Sequence, residues 1–131
     1  PLRRQRQMCI ETARALHLAQ KHLPELVASG RLEKLSIRWV SNQRQRWGSA
    51  TYANTQIRIS SELQGVPEYV LDSVIHHELC HLLQPNHSAA FRALEARYPQ
   101  LLRAQAYLEG YALGRSRAEG ERGEHGENSA G

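Results

Sequence analysis

Residues 70–91 read VLDSVIHHELCHLLQPNHSAAF, and their spacing decides how the rest of the chain is read. Val70, Leu71, Val74, Ile75, Leu79, Leu82 and Leu83 recur at helical steps and give a helix with one apolar stripe. Pro67 is well placed in the first turn of that helix. Pro85 disfavours helical geometry in the residue before it, so the helix is expected to stop near Gln84. Inside it stand His77, Glu78 and His81, an HExxH arrangement. Residues four apart point within about 40° of each other on a helix, so two imidazoles can reach one metal ion. Zinc accepts neutral imidazole nitrogen, and a single rigid helix nearly preorganises such a pair. Glu78 follows the first ligand, where a carboxylate can take a proton from water and pass it to a leaving amine. The expectation is a zinc-dependent hydrolase of amide bonds, with one zinc per chain and no covalent intermediate.

Seven His and twelve Glu in 131 residues make this pattern an event expected about 0.03 times by chance. His76 and Cys80 are also four apart on the helix, but the residue after His76 is His77, so that pair lacks a following carboxylate. They fit packing or supporting roles. A catalytic zinc keeps three protein ligands and leaves a fourth position open. Three residues compete for the third place. His87 lies six past His81, behind a Pro85–Asn86 turn that can fold the chain back; Glu95 lies on the next helix; His125 lies in the C-terminal tail. Spacing ranks His87 first and His125 last.

Upstream of this helix the period changes. Leu35, Ile37 and Trp39 alternate with Ser36 and Arg38, which predicts a strand reaching Val40. Arg46 to Tyr52 and Thr55 to Ile59 make two more, joined by a turn at Ala53–Asn54. Gln56, Arg58 and Ser60 are expected on a wet face, and the three strands in a small antiparallel sheet. Residues Arg6 to Leu23 carry Met8, Ile10, Ala13, Leu16, Ala19 and Leu23 at helical spacing, with Pro24 as a break and Ser29–Gly30 as an end. Downstream, Ser88 is a good cap for a helix from Ala89 to Arg97, and Pro99 opens a last one. The order of helix, three strands and three helices predicts an α+β domain over residues 1–113. Residues 114–131, GRSRAEGERGEHGENSAG, hold no large apolar side chain and read as a disordered tail.

Cys9 and Cys80 sit in different segments, which gives no disulfide framework and suits a reducing compartment. No apolar stretch follows the arginines at positions 3, 4 and 6, and no run approaches the roughly 20 residues of a membrane span. A soluble, cytoplasmic monomer with no membrane partner is expected. Charge is divided unevenly. Residues 1–60 carry eleven Lys or Arg against three Glu, and residues 61–131 carry six Arg against ten acidic residues. A basic half suits a nucleic-acid partner, though a solvated helix face accounts for it as well.

Taken together, Arg46-Trp47-Gly48-Ser49, the HELCH helix and Pro85-Asn86-His87-Ser88 with Phe91 resemble the YgjP-like metallopeptidases, the WLM or SprT-related group within the zincins. The resemblance spans roughly residues 37–111. It implies a minimal zincin-like fold, zinc bound by His77, His81 and His87, and Glu78 as general base acting on a peptide or protein substrate. It also admits DNA-bound proteins as substrates. Ala50 stands where the family often has Cys, and Arg92 where it often has Trp; neither is a ligand position. Arg46, Trp47 and Gly48 are candidate substrate-binding residues on an edge strand. The alternative is a core tryptophan beside a glycine that allows close strand approach. An oxyanion-stabilising tyrosine would come from Tyr69, Tyr98, Tyr107 or Tyr111, and spacing does not choose among them.

Overall fold

The computed structural model describes residues 10–41 and 46–130, with side chains through residue 120. Five α-helices and three strands follow one another along it. They are α1 (Ile10–His22), α2 (Pro24–Ala28), β1 (Ser36–Val40), β2 (Gly48–Thr51), β3 (Gln56–Ser60), α3 (Glu68–His81), α4 (Ala89–Glu95) and α5 (Leu101–Ala130). One compact unit ends at Leu101, and α5 from Leu102 onward forms a second. Residues 6–9 of the expected first helix, Cys9 among them, lie outside the described residues.

The α+β expectation holds, but the sheet is mixed rather than wholly antiparallel. The strand order is β1-β3-β2. A short turn from β2 into β3 makes that pair antiparallel, with Gly48 opposite Ile59 and Thr51 opposite Gln56. Successive strands do alternate in direction, yet β3 enters between the first two and so runs parallel to β1, with Ile37 beside Ile57. Burial explains the order. Ile57 and Ile59 are both fully buried, so β3 takes the centre. The small residues of β2, Gly48-Ser49-Ala50-Thr51, bury little apolar surface and take an edge.

The face expected to be wet is only partly so. Gln56 and Arg58 are half-exposed, but Ser60 is buried, because its hydroxyl accepts the Glu62 N–H and starts a short 3₁₀ turn. Arg58 is held by Thr51 Oγ1 at 3.1 Å and Gln56 Oε1 at 2.8 Å.

The core sits around α3. Val70, Val74, Ile75 and Leu79 are buried, and the helix packs on the sheet, on α1 and on α4. Ala15, Leu18 and Ala19 of α1 and Leu23 and Leu26 beyond it complete that core. Arg14 on α1 is tied to α3 through Asp72 at 2.8 Å. Gly30, at φ 76°, takes the left-handed conformation that closes α2, as the Ser29–Gly30 pair predicts.

The last helix runs through residues whose composition predicts a disordered tail. Its backbone is helical to Ala130. Arg, Ala and Glu are strong helix formers, and Arg115 and Glu119 stand four apart, so local propensity opposes the glycines there. Leu102 and Leu113 are exposed. Among the described residues no helix is long and apolar enough to cross a membrane.

Candidate metal centre

Helix α3 ends at His81, and Leu82 to Gln84 turn the chain away, with Gln84 N–H donating to the Cys80 carbonyl at 2.9 Å. The Pro85–Asn86 segment then brings His87 back. Ser88 caps α4, its hydroxyl accepting the Phe91 N–H at 3.2 Å. This path places one ligand atom from each of His77, His81 and His87 within 4.8 Å of the others. His81 Nε2 and His87 Nε2 are 3.1 Å apart. Two nitrogens bound tetrahedrally to zinc at about 2.0–2.1 Å stand about 3.3 Å apart, so the spacing suits that ion.

The other ring nitrogens of His77 and His81 are engaged, which decides where their free lone pairs point. His77 Nδ1–H donates to the Glu95 carboxylate. His81 Nδ1–H donates to the Gln84 carbonyl at 3.3 Å. Each bond fixes the tautomer that leaves Nε2 unprotonated and able to bind a cation. Burial by itself lowers the His77 pKa, but the Glu95 hydrogen bond and the charges of Glu78 and Glu95 raise it overall. The Glu95 carboxyl is lowered in turn, chiefly by that hydrogen bond. His81 is lowered by burial, with the charge of His77 adding to the effect.

Phe91 forms the apolar support of the cluster. Its ring stacks on His81 with centroids 4.4 Å apart, and meets His77 and His87 edge-on at 5.0 and 4.9 Å. It is almost fully buried, so three imidazoles are braced by one rigid side chain.

Glu78, also buried, turns toward the sheet. Burial pushes its carboxyl up to about 7, against the opposing charges of His77 and Arg46. Gly48 on β2 leaves it room: a side chain there would stand 3.1 Å from Glu78 Oε2. Arg46 is exposed and Trp47 half-buried, and the Trp47 carbonyl accepts the Ser60 N–H at 2.8 Å. Of the expected substrate-binding stretch, Gly48 thus meets Glu78 directly, and Arg46 acts on it through charge.

Of the three competitors for the third ligand place, His87 joins His77 and His81, whereas Glu95 binds the far side of the His77 ring. The side chain of His125 lies outside the described residues. The HxxxH spacing says nothing of this use of Glu95, because it lies 18 residues from His77. His76 and Cys80 point away from the cluster into the core, with the Cys80 thiol pushed up to about 12 by burial. Among the tyrosines, Tyr98 spends its hydroxyl on the Tyr69 carbonyl at 2.8 Å, and Tyr107 and Tyr111 belong to α5.

The pattern of one family, described as YgjP-like, metallopeptidase domain, matches residues 6–111. No curated protein matches the chain. The family match covers most of the sequence and includes every residue of the cluster: the chain belongs to the YgjP-like metallopeptidase domain family.

Proposed function

We propose, from this membership, that the chain hydrolyses peptide bonds as a zinc-dependent endopeptidase. His77, His81 and His87 hold the ion, and Glu78 is the general base. The carrying observation is the convergence of three imidazole nitrogens within 4.8 Å, two with their opposite nitrogens hydrogen-bonded. Zinc, when bound, acts as a Lewis acid toward the scissile carbonyl and makes water more acidic. Glu78 removes a proton from the attacking water and delivers it to the leaving nitrogen. Its carboxyl, raised to about 7 by burial, suits a group that must accept and release a proton near neutral pH. The edge position of β2 suits main-chain pairing with an extended peptide beside Glu78.

Three protein ligands leave a position for substrate, as catalytic zinc sites do and closed structural sites do not. The test is a peptide-library digest by the zinc-loaded protein beside a chelated sample. Cleavage at internal bonds that stops on chelation and returns with zinc supports the reading. Equal cleavage, or none, in both samples would defeat it.

A further inference from the structure

The proposed chemistry uses one side of α3 and leaves unexplained a polar residue buried on another. His76 is fully buried, and its Nε2–H donates to the Leu94 carbonyl at 3.0 Å. A carbonyl only accepts, so the proton sits on Nε2, and Nδ1 is left buried with no hydrogen-bond partner among the described residues. An apolar side chain would avoid that orphaned nitrogen. The rings of His22 and Tyr98 pack against His76, each with its centroid 5.7 Å away, and the Cys80 sulfur lies 3.5 Å from Nε2.

What the bond to Leu94 provides is visible one residue further along both helices. His77 donates to Glu95 just as His76 donates to Leu94. Two consecutive residues of α3 thus grip two consecutive residues of α4. Helix α4 has seven residues, too few to hold its geometry by propensity alone. The last carbonyls of α4 are met from beyond it: the Leu94 carbonyl accepts the Arg97 N–H at 3.2 Å as well as the His76 Nε2–H at 3.0 Å, and the Glu95 carbonyl accepts the Tyr98 N–H at 3.2 Å. Of these carbonyl bonds the one from His76 alone comes from α3, so it is the one that sets the end of α4 against His77.

We propose that His76 is a positioning residue of the metal centre: by holding the Leu94 carbonyl it fixes the end of α4 and so aims Glu95 at His77. The inference rests on the reading of His77, His81 and His87 as metal ligands.

The test is zinc affinity, measured by competition with a chromophoric chelator, for the wild type and for His76→Leu, His76→Gln, His76→Asn, Glu95→Gln and the double variant His76→Leu/Glu95→Gln. Glutamine places an amide N–H near the position of Nε2 and can still reach Leu94, whereas asparagine is too short. His76→Leu is expected to weaken zinc binding about tenfold, the lower end for partners of a metal-binding histidine. His76→Gln should recover most of that loss and His76→Asn should not. In the double variant the leucine should add nothing to the effect of Glu95→Gln, because both act through one contact. A second readout needs no metal. The His77 Nδ1–H resonance of the metal-free protein should be protected from exchange in the wild type and His76→Gln, and lost in His76→Leu.

Unchanged affinity in His76→Leu, or additive losses in the double variant, would overturn the proposal. If the leucine variant does not fold, equal affinities for His76→Gln and His76→Asn would overturn it instead. A wild type that binds no zinc would sink the ligand reading itself, a distinct outcome.

Discussion

The Glu78 carboxylate occupies the space that a side chain at Gly48 would need. A Cβ at that position would stand 3.0 Å from the Arg58 carbonyl oxygen, 3.1 Å from Glu78 Oε2 and 3.2 Å from Glu78 Cγ. The backbone of β3 cannot yield easily on one side, so Glu78 must move on the other. Gly48→Ala is therefore expected to cost about 1–3 kcal/mol of stability through overpacking. Displacing the base by even an ångström should lower kcat on the order of a hundredfold while the histidines keep their zinc. Urea denaturation and chelator competition, run beside a peptidase assay, separate the two effects. An alanine variant with unchanged stability and turnover would contradict the contact.

Glu78→Gln isolates proton transfer from metal binding. Glutamine fills the same space against Gly48 but cannot accept the proton of an attacking water. The expected loss is roughly 10²–10⁴-fold in kcat, the usual contribution of a positioned general base. Zinc content should stay at one per chain, since the carboxylate is not in the imidazole cluster. Retained zinc with undiminished cleavage would remove Glu78 from the reaction.

Phe91 braces all three histidines, so its replacement should report on both packing and metal affinity. Phe91→Ala is expected to destabilise the metal-free protein by about 3–5 kcal/mol, the usual cost of emptying an aromatic core site. Phe91→Leu keeps much of the volume but loses the flat face stacked on His81. Its stability cost should be smaller, roughly 0.5–3 kcal/mol, while its zinc affinity still falls. A leucine variant with wild-type affinity would show that the stacking does not organise the imidazoles.

These relationships differ in how far the sequence announces them. Helix α3 and its His77–His81 pair are legible because both depend on local periodicity, which a helix translates directly into one face. His87 needs only a short turn, and Pro85 marks it. The strand order is not legible, since it depends on which strand buries most apolar area, and that is settled between β1, β2 and β3 together. Glu95 is recognisable as a competent group, yet spacing cannot tell a carboxylate that binds a cation from one that binds the far side of an imidazole. The contact of Gly48 with Glu78 joins residues thirty apart and has no local signature. At the C-terminus the lack of apolar residues bears on packing and does not decide whether the backbone is helical.

An exposed ion pair in the first compact unit offers a test by pH. Arg97 donates from Nη1 to Glu25 Oε1 at 2.7 Å and from Nη2 to Oε2 at 2.8 Å, a two-pronged pair. Nη1 also reaches the His22 carbonyl at 3.2 Å, so one guanidinium links the end of α1, the start of α2 and the segment after α4. Hydrogen bonds from the Arg97 side chain, with one from the backbone of Glu25 itself, hold the Glu25 carboxyl down from 4.5 to about 2. A depressed carboxyl stabilises the fold above its unfolded value and loses that contribution as pH falls toward its folded one. Metal-free wild type should therefore be more stable than Glu25→Gln at pH 6, with the gap narrowing below about 4.5 and closing near 2. The gap should also shrink in high salt, because the pair faces solvent. Urea midpoints for both proteins at pH 6, 4 and 3 give the comparison, with zinc removed so that ligand protonation does not enter. A gap that stays constant or widens with acid would show that the pair contributes no ionic stabilisation, and that Arg97 acts through its packing and the His22 carbonyl alone.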